Sequence, residues 1–77
     1  METDAVLDCV GLYCPMPIAL MSKKIKELKA GQVIEILADD LGIKEDLPAW
    51  CKATGNEFLK IEDENGTYRG FVKKTKD

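Results

Sequence analysis

The chemically loaded stretch of this chain is Gly11-Leu12-Tyr13-Cys14-Pro15-Met16-Pro17. A cysteine attacks as its thiolate. Where the sulfur faces the free N–H groups and positive dipole end of a helix start, its pKa falls from ~8.5. Proline is favoured at the first helical position because its missing donor has no partner there in any case. Pro15 therefore predicts a helix beginning at that residue, with Cys14 at the N-cap. Pro17 removes a further first-turn donor, but it also stiffens the turn and keeps the loop from collapsing over the sulfur. Serine, threonine, aspartate and asparagine are the preferred caps, so cysteine is a poor choice there for stability alone. A cysteine buried beside a loop is the plain alternative, and the spacing by itself leaves both readings open.

The remaining reactive side chains offer less. Cys9 alternates with Ala5 and Leu7, and Cys51 shares a helical stripe with Leu47 and Trp50, so both are expected in the core. The chain has no histidine, which excludes a Cys/His zinc site and a Cys-His nucleophilic dyad. No Cys-x-x-Cys pair supplies an adjacent resolving thiol. Asp39-Asp40, at the end of an apolar run, is expected to shape a loop and a helix entry rather than bind metal. Lys23, Lys24 and Lys26 fall on the outer side of the first helix. A solvated face is the ordinary reading of such lysines, and steering toward an acidic partner is the functional one. No metal and no organic cofactor is expected.

These residues need elements to hold them. Ala5 to Cys9 alternates as a short strand, and Val10 to Tyr13 is a connection. The stripe Ile18, Met21, Ile25 and Leu28 predicts a helix from about Pro15 to Lys29, with Lys29 in the last turn and Gly31 as its stop. Gln32 to Ala38 reads as a strand with Ile34, Ile36 and Ala38 pointing inward. A second helix ends at Thr54-Gly55. Its inner stripe is Leu47, Trp50, Cys51 and Thr54, and it is expected to begin near Lys44 to Leu47, because Pro48 belongs in a first turn. Glu57 to Glu62 and Thr67 to Lys73 are strands around Asn65-Gly66, a type I′ hairpin signal. In the last strand, Tyr68/Gly70/Val72 and Arg69/Phe71/Lys73 compete for the buried face. The order β-α-β-α-β-β gives an α/β (α+β) two-layer sandwich: a four-stranded mixed sheet with two helices on one face.

Composition narrows the class. Seventy-seven residues, 45% apolar and 32% charged, suit one small folded domain spanning 1–77. There is no room for a cleft between two domains, so chemistry rests on one or two surface groups or is shared with a partner protein. A net charge of −3 argues against direct nucleic-acid binding. Three cysteines, an odd number, do not fit a disulfide-stapled secreted domain. Met1 to Asp8 lacks the basic-then-apolar pattern of a secretory leader, and no apolar run is long enough to cross a bilayer. The cytoplasm, with its reduced thiols, is the expected setting.

With these residues in view, the chain resembles the TusA/SirA-like sulfur-carrier family. The resemblance rests on Leu7-Asp8, on Gly11-Leu12 before Cys14-Pro15-Met16-Pro17, on Gly31, on Asp39-Asp40, and on Asp46-Leu47-Pro48 with Cys51 and Gly55. The hallmark of that family is a Cys-Pro-x-Pro motif at the start of the first helix. The resemblance implies that Cys14 receives sulfane sulfur as a persulfide and hands it on, with Gly11, Leu12, Pro15 and Pro17 supporting the loop and helix start. It also implies a sulfur-donor protein, of cysteine desulfurase or rhodanese-like type, and a sulfur-acceptor protein. The chain departs from the pattern at Ser22-Lys23-Lys24, where relatives often carry Arg-Lys, at Leu41 for proline, and at Asn56 for histidine. Two rival functions share this fold: a redox protein in which Cys14 pairs with Cys9 or Cys51, and a regulatory or scaffolding module without thiol chemistry.

Overall fold

The computed structural model describes residues 2–13 and 15–76. Its strands are β1 (Ala5–Cys9), β2 (Val33–Ala38), β3 (Glu57–Glu64) and β4 (Thr67–Lys73), and its helices are α1 (Met16–Lys24) and α2 (Ile43–Thr54), with a 3-10 turn at Ile25–Glu27. The sheet order is β1-β2-β4-β3: β1 and β2 run parallel, while β4 is antiparallel to both of its neighbours. The expected mixed sheet and two-helix layer are both present.

Register explains which residues form the core. Ala5, Ile34, Val72 and Phe58 lie in one row across the sheet, and Leu7, Ile36, Gly70 and Ile61 in another. Because directly paired residues share a face, Tyr68, Gly70 and Val72 belong to the helix side, which settles the ambiguity of the last strand. Ile34, Ile36 and Val72 are fully buried there beneath Met21, Ile25, Leu28, Ile43 and Leu47. Gly70 is a point of close approach between the two layers. A Cβ at this position would meet Leu47 Cδ2 and would stand 3.1 Å from Ile36 Cγ2. The indole Nε1 of Trp50 donates to Ser22 Oγ at 2.8 Å and fastens the helices to each other.

The opposite face has its own cover. Phe71 points away from the helices, yet only 2% of it is exposed. Lys60 Nζ and Arg69 Cζ lie 5.2 and 5.8 Å from its ring centroid. Arg69 is in turn held by Glu35 at 2.5 Å and Glu64 at 3.0 Å. Long aliphatic stems shield the ring while their charged ends stay wet.

Several boundaries differ from the sequence expectation. The first helix stops at Lys24 rather than Lys29, and its end tightens into the 3-10 turn. Leu28 is already extended, with its carbonyl accepting from the buried Lys74 ammonium at 2.6 Å, and the Lys29 amide donates to Gln32 Oε1. Leu28 still reaches the core, so the apolar stripe survives a change of backbone. At the other helix, α2 starts at Ile43, and Pro48 lies inside it rather than in its first turn. The earlier start is built by Asp40, whose carboxylate accepts from Gly42 N–H at 3.1 Å and whose carbonyl accepts from Ile43 N–H. Ile43 is therefore core and Thr54 is exposed, whereas the expected stripe omitted the first and included the second. Strand β3 runs two residues further, to Glu64, and meets β4 through Asn65 and Gly66 with φ of 55° and 90°, as a type I′ turn requires.

Candidate functional site: the loop between β1 and α1

Because β1 and β2 are parallel, both strands end at the same edge, where Cys9 pairs with Ala38. The loop toward α1 leaves from there. Gly11 adopts φ +89°, a conformation natural to glycine and costly to other residues, so the sharp exit needs this residue type. Leu12 turns back into the core and donates its amide to Cys9 O at 3.1 Å. Tyr13 is 78% exposed. Past it, Pro15 is exposed, Met16 is about half exposed at 47%, and Pro17 is buried. Cys14 lies outside the described residues, and the N-cap position expected of it falls on Pro15 instead.

The helix start differs from the expectation by one residue. Pro15 is the N-cap, with φ −97° and ψ 13°, and Pro17 takes the second helical position. Tyr13 O accepts from Met16 N–H at 2.8 Å, while Pro15 O accepts from Ala19 N–H at 3.0 Å. The turn closing on Met16 displaces the helix by that one residue. It also changes the electrostatics: the Met16 amide is already engaged and Pro17 has none, so fewer first-turn donors face the loop than expected.

Aspartates fasten this loop. Asp8 Oδ1 accepts from Val10 N–H at 3.0 Å, and Asp39 Oδ1 accepts from Gly11 N–H at 3.0 Å across 28 residues of sequence. Asp39 and Asp40 are thus the loop-shaping and helix-entry residues expected of them, but the link from Asp39 to Gly11 was not foreseen. Its signal in the sequence is indirect: it follows only once β1 and β2 are placed side by side and ending level.

The three lysines lie at the far end of α1. Lys23 and Lys24 occupy its last turn, where cations complement the helix dipole, and Lys26 follows in the 3-10 turn. Lys24 pairs with Glu27 at 3.4 Å, while Lys23 and Lys26 are exposed. Asn56, at the position of the family histidine, donates to Thr54 Oγ1 and accepts from Thr75 N–H, which ties the end of α2 to the C-terminal segment.

The other two cysteines are walled off. Cys9 is fully buried and Cys51 is 2% exposed. Burial raises the pKa of Cys9, with the neighbouring Asp8 charge adding to it, and pushes that of Cys51 from 9.0 up to about 11. Both are inert thiols at neutral pH. In Cys14→Ser, a thiol reagent is therefore expected to find no reactive group in the native protein and two after unfolding in guanidinium, where Cys9 and Cys51 become accessible.

The Cys51 shift also sets a pH dependence. Above about pH 9 the unfolded chain releases the Cys51 proton while the folded chain retains it, so the folded state binds more protons and stability falls until about pH 11. Between about pH 8 and about pH 10.5 this contributes a loss on the order of 2 kcal/mol. Urea unfolding of the wild type and of Cys51→Ala at both pH values checks it: the alanine variant is expected to lose less on going to the higher pH.

Comparison with known proteins places the chain among relatives. The family model "Sulfurtransferase TusA" matches residues 5–74. The chain is 50% identical to YrkF of Bacillus subtilis over 74 residues, covering 96% of this chain but 40% of that longer protein. It is 43% identical to YrkI of the same organism, covering 96% of this chain and 99% of YrkI. With the sulfur carrier protein TusA of Pseudomonas entomophila it shares 39% identity, over 96% of this chain and 92% of that one. The crystal structure of a SirA-like protein from Desulfitobacterium hafniense superposes with a TM-score of 0.80 at 25% identity, covering 94% of this chain and 99% of the other.

Proposed function

The chain belongs to the TusA family, and on that premise we propose that it relays sulfur between a donor and an acceptor protein, carrying it as a persulfide on Cys14. One observation carries the choice of residue. Cys9 and Cys51 are sealed in the core, whereas Tyr13, Pro15 and Met16, the neighbours of Cys14 in the chain, are exposed.

The chemistry is thiol exchange. The Cys14 thiolate attacks the outer sulfur of a donor persulfide. A new S–S bond forms on Cys14 as the donor S–S bond breaks, and the bonding electron pair leaves with the donor thiolate. The acceptor thiolate then attacks the outer sulfur of the Cys14 persulfide, and Cys14 departs as the free thiolate. Each transfer is redox-neutral, so no metal, flavin or added oxidant is required. The chain's own contribution is a loop closed by Gly11 and Leu12 on one side and by Pro15 and Pro17 on the other.

A cysteine desulfurase or a rhodanese-like protein has the donor chemistry this scheme needs, and a reducing cytoplasm keeps the carrier thiol available. Among the described residues no helix is long and apolar enough to cross a membrane. The burial of Cys9 and Cys51 weighs against the redox alternative, because each lies within packed side chains rather than at the surface. The test is transfer itself: the wild type, loaded by a desulfurase and cysteine, is expected to pass sulfur to a thiol acceptor, and a disulfide between Cys14 and either core cysteine would favour the redox reading instead.

Lys23 and Lys26 give this scheme a steering element. The double reversal Lys23→Glu/Lys26→Glu is expected to slow loading from a protein donor several-fold at low salt and little at high salt, since exposed charges act mainly on encounter. An unchanged rate at low salt would leave these lysines as solvated surface.

A further inference from the structure

Beyond the cysteine itself, the loop depends on a residue from a different part of the chain. We propose that Asp39 is a positioning residue for sulfur transfer, its carboxylate holding the sulfur-bearing loop against the end of β2. This rests on the Cys14 reading.

The sheet supplies the reason. The β1–β2 ladder ends at the pair Cys9 and Ala38, so the amide of Gly11, two residues past the end, has no strand carbonyl to meet. Asp39 is the first residue beyond Ala38, and its Oδ1 stands 3.0 Å from that amide. The carboxylate takes over where the ladder stops. Its grip falls on the residue whose positive φ turns the chain toward Tyr13 and Pro15, three positions before Cys14.

Each side of the bond is separately anchored. Asp8 Oδ1 holds Val10 N–H, Leu12 N–H is tied to Cys9 O, and Asp40 builds the start of α2 through Gly42 and Ile43. The bond from Gly11 N–H to Asp39 Oδ1 joins the β1–α1 loop to the β2–α2 loop across 28 residues of sequence.

The test compares Asp39→Ala and Asp39→Asn in the full chain, with glutathione persulfide as the sulfur source so that no protein docking intervenes. Loss of the acceptor frees the loop to sample unproductive positions, and Asp39→Ala is expected to load Cys14 roughly tenfold more slowly. Asp39→Asn keeps an acceptor oxygen on the same stem and is expected to restore most of the rate. Melting temperature, followed through Trp50 fluorescence, is expected to change little in either variant. The Gly11 amide proton, deshielded by its carboxylate partner in the wild type, is expected to move upfield in Asp39→Ala alone.

A wild-type rate in Asp39→Ala overturns the proposal, as does a loss that asparagine fails to rescue. If Asp39→Ala does not fold, the decision falls to Asp39→Asn: a wild-type Gly11 shift with a wild-type rate supports positioning, and a wild-type shift with a slow rate overturns it. Failure of the Cys14 reading looks different, because sulfur would then load normally onto Cys14→Ser.

Discussion

Replacing Cys14 by serine is expected to reduce sulfur uptake and onward transfer to background, a loss larger than that from any other single change in the chain. A hydroxyl oxygen offers neither the low-pKa anion nor the sulfur–sulfur bond on which exchange depends. Cys9→Ser and Cys51→Ala, measured beside it, are expected to load at wild-type rates at neutral pH, because both native thiols are buried and protonated. The readout is single-turnover loading followed by transfer to an acceptor thiol, with stability measured in parallel so that a folding defect in Cys9→Ser is not mistaken for lost chemistry. Uptake that persists in Cys14→Ser would move the sulfur elsewhere and end the assignment.

The largest expected effect on stability lies at the contact between layers. Gly70→Ala places a methyl against Leu47 Cδ2 and 3.1 Å from Ile36 Cγ2, and Leu47 and Ile36 are themselves fully buried. Neither has free space to retreat into, so the overpacking is expected to cost about 1–3 kcal/mol. Leu47→Ala removes a fully buried side chain, and its expected cost is about 2–5 kcal/mol. The double variant is the discriminating measurement. Truncating Leu47 makes room for the new methyl, which in turn fills part of the cavity, so the combined loss is expected to fall short of the sum by about 1 kcal/mol or more. Additive losses in urea unfolding would mean that Gly70 is not the place where α2 rests on the sheet.

Much of this architecture is legible in residue order alone. Alternation in Ala5–Cys9, the spacing of Ile18 and Met21, and Asn65-Gly66 between two strands each dictate a local structure that the fold retains. What the sequence pattern misses has a common cause, which is contact between residues far apart in the chain. The first helix ends early where Leu28 O meets Lys74, 46 residues away, although the spacing of apolar residues runs on past that point. Pro48 is accommodated inside α2 because Asp40 starts that helix sooner than proline rules suggest. The alternation of β4 is ambiguous because Phe71 is buried on the wet face under Lys60 and Arg69, so both of its faces carry apolar side chains.

The site divides in the same way. Gly11, Pro15 and Pro17 announce a rigid turn by their backbone chemistry, and the loop has that form, displaced by one residue at the helix start. The shift arises because the tyrosine carbonyl two residues before Pro15 captures the first available amide, at Met16. Asp39 could not be recognised as part of the site from its neighbours. Its partner is Gly11, and only the parallel pairing of two strands brings them within reach.

The most direct test of the relay is to find where the sulfur goes. Wild-type protein is incubated with a persulfide donor, trapped with an alkylating reagent, digested and mapped by mass spectrometry. One added sulfur on the peptide carrying Cys14, released again by an acceptor thiol, is the expected result. Sulfur on the Cys9 or Cys51 peptide, or a Cys14 that takes up none, would contradict it.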